Sequence, residues 1–183
     1  MGEYSYIGKN VIRVDAREKV TGEAIFSTDI HIRGMLFGKI KRSPHPFAKI
    51  LSIDTIEAQK LIGVKAVITA RNVDQFPYGS YVADELPLAD KYARYTGEAV
   101  AAVAAVDSET ADEALDLIRV EYEVLPPVLD AETAMEPGAP IVHPERELAS
   151  QNVAYHIDFV RGEGEAAFKQ ADLIVEDRFT TQV

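Results

Sequence analysis

The sequence predicts an α/β fold: a mixed β-sheet carrying a few short helices. Three observations point there. Residues 94–127 read as strand, helix, strand. An apolar run Ala99–Val106 meets an Asp107-Ser108 stop that can cap a helix. Ala111, Ala114, Leu115 and Ile118 follow at helical spacing, and Val120-Glu-Tyr-Glu-Val124 then alternates until Pro126-Pro127 ends it. Second, Val64–Thr69 is a β-branched run of strand length. Third, Met35–Lys41 alternates apolar and polar residues, as a half-buried strand does.

Taken in order, residues 1–34 read as an N-terminal arm of short extended pieces and turns. After the Met35–Lys41 strand, Ser43-Pro-His-Pro46 must turn or run extended, because each proline also restricts the residue before it. Ala48–Ile53 reads as the returning strand. Asp54 or Thr55 can cap a short helix over Ile56–Leu61, with Gly63 just past its end. Residues 72–93 form a long irregular segment with Pro77, Gly79, Pro87 and four aromatics, Phe76, Tyr78, Tyr81 and Tyr92. Loops of that length serve a function or a contact surface unless they are disordered. The run Ala99–Val106 offers no polar side to solvent. It is expected to be central and buried on both faces, with Ala104 and Val106 inside. Residues 125–150 are irregular and rich in proline. Asn152–Val160 reads as a strand and Gly164–Gln170 as a short helix. Leu173–Val183 alternates like a strand, and no turn signal follows it. That ending predicts a piece of a longer parent. The expected organisation is an arm over 1–34, an α/β domain over 35–135, and a linker leading into a following region over 136–183.

Bulk composition narrows the function. The chain has 183 residues, 47% hydrophobic and 27% charged, with a formal net charge of −11. Such an acidic chain argues against nucleic acid and anionic membrane surfaces as partners, since phosphate neutralisation needs clustered Lys and Arg. Lys39, Lys41 and Arg42 form the only local basic cluster, read as a solvated strand end. The absence of cysteine removes disulfides, thiolate zinc sites and iron–sulfur ligation by this chain, and fits a cytoplasmic location. The first ten residues hold no apolar signal segment, and no run approaches the ~18 apolar residues of a spanning helix.

The candidate chemistry is thin. Gly162-Glu-Gly-Glu-Ala-Ala167 matches the G-x-G-x-x-A dinucleotide pattern, but Glu163 and Glu165 would meet a pyrophosphate with negative charge, so a structural turn is the better reading. His31, His45, His143 and His156 show no metal-ligand spacing. His45, between two prolines, reads as a turn residue whose ring bonds nearby backbone. Glu121 and Glu123 share a strand face, Asp84 and Glu85 lie in the long loop, and none has an evident acid–base partner. Ser43, Ser108 and Ser150 lack a nucleophile elbow. The residues therefore assemble no catalytic, cofactor-binding or metal site.

An ordered set of short segments carries a resemblance. They are Lys19-Val20-Thr21-Gly22, Asp29, Gly34-Met35-Leu36, Arg42-Ser43-Pro44-His45-Pro46-Phe47-Ala48 and Ile53-Asp54-Thr55. Gly63-Val64-Lys65-Ala66-Val67-Ile68-Thr69-Ala70, Tyr95-Thr96-Gly97-Glu98, Gly164-Glu165-Ala166-Ala167-Phe168 and Ala171-Asp172 continue it. In this order they resemble the start of the large, molybdenum-cofactor-binding subunit of xanthine dehydrogenases and aldehyde oxidases, from about Gly8 to Val183. The resemblance implies an α/β hammerhead fold over 35–135, and a parent that is a molybdenum hydroxylase. Such enzymes insert oxygen from water into a C–H bond of a heteroaromatic or aldehyde, and pass electrons through molybdopterin to iron–sulfur clusters and flavin held elsewhere. It implies partners in the rest of the large subunit and in the iron–sulfur and flavin subunits or domains. Xanthine-like purines are the first substrate expectation; aldehydes, carbon monoxide and hydroxybenzoyl thioesters stay open. The residues that grip molybdopterin and the glutamate base belong to later parts of that subunit, so this chain is expected to hold no cofactor itself. The rival reading is a non-enzymatic interaction module, based on the aromatic loop and acidic surface.

Overall fold

Every strand in the body of this protein pairs with a strand other than its neighbour in sequence. The computed structural model describes residues 4–80, 82–144 and 152–181. The strands are β1 (Phe37–Arg42), β2 (Ala48–Asp54), β3 (Val64–Thr69), β4 (Tyr92–Ala93), β5 (Ala99–Ala105) and β6 (Arg119–Val124). They form two three-stranded sheets, ordered β1-β5-β3 and β4-β2-β6. Odd strands make one sheet and even strands the other, with antiparallel pairing throughout. Within residues 35–124 the expected strands and short helices are therefore present, divided between two sheets. The expected return of Ala48–Ile53 alongside the first strand does not occur. The turn after Arg42 sends the chain into the second sheet, where β2 pairs with β4 and β6.

In the first sheet, β5 is central. Its register sets Lys39, Val103 and Val67 in one row, and Gly38, Ala104 and Ala66 in the next. Two helices, α2 (Ile56–Lys60) and α3 (Ser108–Leu117), cover one face. The cluster beneath them joins Ala58, Val67, Ala101, Val103, Ala114 and Ile118. On the opposite face Val100 meets Ile50 and Ala89, with Ile53, Val120 and Tyr122 packed alongside. The sequence expectation for this run needs one correction. Val100, Ala101, Val103 and Ala105 are buried, but Ala104 is half-buried and Val106 is 44% exposed. The strand ends at Ala105; the Val106 N–H still bonds the Gly63 carbonyl at 3.1 Å, but the residue lies past the covered part of the sheet.

Helix α3 forms where the sequence places it. The Asp107 carboxylate accepts the Thr110 N–H at 2.7 Å, satisfying a free donor of the first turn. That bond holds the Asp107 carboxyl below the usual carboxylate range. The capping contribution is therefore present above the ordinary carboxylate range and is lost as pH falls through the lowered value.

The basic residues of β1 are more engaged than a solvated strand end. Lys39 pairs with Asp112 on α3 at 3.1 Å, and the Lys41 ammonium donates to the Leu115 carbonyl at 2.9 Å, near the negative end of the helix. Replacing Lys41 by Met keeps the stem and removes this bond. The Lys41→Met chain is expected to lose about 1 kcal/mol in chemical denaturation, with the loss falling on α3 in hydrogen exchange.

The terminal arms differ from expectation. The N-terminal arm contains a helix, α1 (Ala16–Thr21), and a 3-10 turn at Ser27–Asp29. Gly22 ends α1 with φ of 77°, a left-handed conformation glycine adopts without strain, which explains the Thr-Gly pair there. Residues 125–144 include a short helix, α4 (Ala131–Ala134), capped by Asp130. The helix α5 (Gly164–Gln170) is present, but the strands expected at Asn152–Val160 and Leu173–Val183 are absent from the described residues. Residues 153–181 are exposed apart from half-buried Ala166, so no neighbouring strand or core face holds them extended. Gln182 and Val183 lie outside the described residues. Ile12, Val14, Phe159 and Phe179 stand among many exposed apolar side chains on the two arms.

Candidate functional site

Two crossings between the sheets meet at one joint. The first, Ser43-Pro-His-Pro-Phe47, links β1 to β2; the second, Arg94-Tyr-Thr-Gly-Glu98, links β4 to β5. Their backbones are paired: the Ser43 N–H donates to the Glu98 carbonyl at 2.9 Å, and the Gly97 N–H to the Ser43 carbonyl at 2.8 Å. The Arg42 guanidinium adds a bond to the Gly97 carbonyl at 2.7 Å. Ser43 is 2% exposed, and its hydroxyl accepts the His45 N–H at 3.2 Å, closing the proline-flanked turn on itself.

An aromatic layer packs around this joint. The His45 ring meets Tyr122 edge-on with centroids 5.0 Å apart, so its ring contact is with an aromatic face of β6 rather than with nearby backbone. Phe47 stacks on Tyr92 at 6.1 Å, and the Arg94 guanidinium lies over the Tyr92 ring at 5.6 Å. Burial pushes the Tyr122 phenol up, opposed by a hydrogen bond with Ser43.

Glu98 is the residue that sequence reasoning missed. It is 8% exposed, and its carboxylate accepts the Arg94 N–H within its own turn. Burial holds its carboxyl above the usual glutamate range, opposed by that bond and by the positive charge of Arg94. Glu98 follows Gly97 and precedes the apolar run, so its turn position was visible; the burial was not, because it depends on the other crossing.

Beside the joint lies a cavity of about 680 Å³. Its walls include Asp84, Val128, Leu129, His143, Asn152 and Tyr155. Asn152 fixes its shape. It has φ of 55°, accepts the Val142 N–H at 2.9 Å, and donates to the Ala134 and Pro140 carbonyls, each at 2.9 Å. Asparagine is the side chain best suited to that backbone state. His143 lies 3.9 Å from Asp84, joining the cavity wall to the long loop. That loop folds back through paired backbone bonds between Tyr78 and Glu85, and Gly79 is required within it, since a Cβ there would sit 1.9 Å from the Val82 carbonyl oxygen.

The remaining candidates do not converge. His31 bonds its own turn at Asp29, and His156 pairs with Asp158 on the C-terminal arm. Glu121 accepts the Ser52 hydroxyl at 2.8 Å, and Glu123 is exposed. Ser108 opens α3, and Ser150 lies outside the described residues. The Gly162–Ala167 segment is exposed, with Glu163 and Glu165 flanking the helix start. Among the described residues no group of three or more His, Cys, Asp or Glu could hold a metal ion. Without cysteine, this chain supplies no thiolate to an iron–sulfur cluster. What the joint does is fasten two sheets together.

A two-sheet body locked by these crossings defines a structural domain, and comparison with known proteins says which. The chain belongs to the family described as "Aldehyde oxidase and xanthine dehydrogenase, a/b hammerhead domain", whose profile matches residues 21–126. It is 38% identical over 92% of its length to a probable xanthine dehydrogenase subunit of Bacillus subtilis. It is 36% identical over 98% of its length to the nicotinate dehydrogenase large molybdopterin subunit of Eubacterium barkeri. Those matches cover 22% and 41% of the two relatives, so the chain spans less than half of each. Among solved structures it is similar to the CO dehydrogenase of Oligotropha carboxidovorans, with a TM-score of 0.75 and 33% identity over 91% of this chain and 22% of that one. It is also similar to the aldehyde oxidoreductase of Desulfovibrio gigas, with a TM-score of 0.74 and 27% identity over 88% of this chain and 19% of that one.

Proposed function

We propose that this chain is the N-terminal structural domain of a molybdenum hydroxylase large subunit. The parent oxidises a heteroaromatic or aldehyde substrate with water as the oxygen source. The observation that carries this reading is that the similarity runs through both arms as well as the two-sheet body, reaching 98% of the chain in the nicotinate dehydrogenase subunit. Residues 1–34 act as an arm, 35–135 as the hammerhead body, and 136–183 as a linker into the next region. Molybdopterin supplies the oxidation chemistry in such enzymes, and the protein supplies binding and orientation. No catalytic residue lies in this chain.

The partners follow from the same reading: the rest of the large subunit, and subunits or domains carrying iron–sulfur clusters and flavin. The exposed apolar side chains of both arms support it, because they give these arms surface to bury against further protein. Among the described residues no helix is long and apolar enough to cross a membrane. We place the parent in the cytoplasm, with a purine of the xanthine class as its first candidate substrate.

The test is metal analysis and visible spectroscopy on two preparations. The 183-residue chain alone is expected to carry no molybdenum, iron or flavin. A complete large subunit assembled with its electron-transfer partners is expected to carry molybdenum, and to place labelled oxygen from water in the product. Stoichiometric metal or a chromophore on the chain alone would overturn the assignment.

A further inference from the structure

The joint between the sheets carries a titratable group at its centre. Glu98 and Ser43 bring two crossings together through backbone bonds, and the Glu98 side chain turns inward there to take the Arg94 N–H. The groups facing this carboxyl come from several elements. Arg94 and Tyr95 belong to its own turn, and His143 comes from the segment after α4. Around Tyr95 lie Tyr78 and Glu85 of the long loop and Arg42 of β1. Asp84 stands 3.9 Å behind His143. A carboxylate in this place loses hydration when the joint closes, and the loss is incompletely returned by the Arg94 and Tyr95 N–H groups and the Arg94 charge.

We infer that Glu98 is a proton-operated clasp on the joint between the two sheets, holding it tighter when the carboxyl is neutral than when it is charged. Burial is the first cause acting on the group, and it raises the proton affinity above that of a free glutamate. The folded chain then holds the proton more tightly than the unfolded chain. The stabilisation is complete below the ordinary glutamate range and is lost as pH rises through the raised value. His143, which favours the charged form, also lines the cavity.

The experiment is a side-chain carbon NMR titration of Glu98 in the 183-residue chain, run beside thermal melts from about pH 4 to about pH 8. Three chains are compared: the wild type, Glu98→Gln and His143→Ala. Glutamine keeps an oxygen to accept the Arg94 N–H and carries no charge. Glu98 is expected to titrate above a free glutamate. Glu98→Gln is expected to melt higher than the wild type at the alkaline end and to lose much of its decline with rising pH. His143→Ala is expected to move the Glu98 titration further up. A Glu98 that titrates at or below the free value overturns the clasp. So does a glutamine chain that fails to fold, or one whose melting follows the wild-type pH curve. An unmoved titration in His143→Ala overturns the part given to that residue.

Discussion

Replacing Val103 by aspartate is expected to abolish soluble folding. Val103 is 2% exposed and lies mid-way along β5, in one cluster with Ala58, Val67, Ala101, Ala114 and Ile118. A carboxylate there is buried against α2 and α3. Lys39 is its partner across the strand, but the Lys39 ammonium is held by Asp112 on α3. An uncompensated buried charge costs several kcal/mol, against about 5–15 kcal/mol for the stability of a whole domain. Val103→Ala separates charge from lost volume, and should cost only about 2 kcal/mol. Soluble yield and circular dichroism melting measure both variants. A cooperative, unshifted melt of Val103→Asp would place the residue outside the core.

Asn152→Ala is expected to open the cavity wall and leave the sheets intact. The substitution removes three hydrogen bonds, those to Val142, Ala134 and Pro140. It also leaves alanine at a φ of 55°, a conformation that costs a residue with a Cβ roughly 1–2 kcal/mol. At about 1 kcal/mol for each bond, local stability should fall by about 3–5 kcal/mol. Hydrogen exchange at amides 134–143 should speed at least a hundredfold, while protection in β5 stays unchanged. Equal protection in both chains would show that Asn152 does not hold the wall.

How much of this was legible depended on the range of the forces involved. Val64–Thr69, the Asp107 cap, α3 and β6 announce themselves by alternation, helical spacing and a capping carboxylate, all acting within a few residues. The family resemblance was carried by short segments, and the structure gives two of them a physical role. Arg42–Phe47 and Tyr95–Glu98 are the two crossings that lock together. Nothing local announces that they touch, since 55 residues separate Arg42 from the Gly97 carbonyl it bonds. The burial of Glu98 depends on that meeting and was invisible for the same reason. The strand expectations at Asn152–Val160 and Leu173–Val183 fail for the converse reason. Alternation supplies a face to bury, and among the described residues no sheet takes those faces.

The alternation of strands between sheets sets how the chain can fold. A hairpin closes a few residues and forms in microseconds, so most antiparallel sheets can grow by zipping neighbours together. Here no neighbours pair: β1 waits for β5, and β2 waits for β6, and even the nearest β1–β5 partners, Arg42 and Ala99, stand 57 positions apart. Loop-closure entropy must be met before any sheet contact returns energy, which raises contact order and slows folding. Each sheet also depends on turns that run through the other, so neither can be completed first. The two sheets should appear in a single kinetic phase, and a chain cut anywhere between β1 and β6 should leave no half that folds alone.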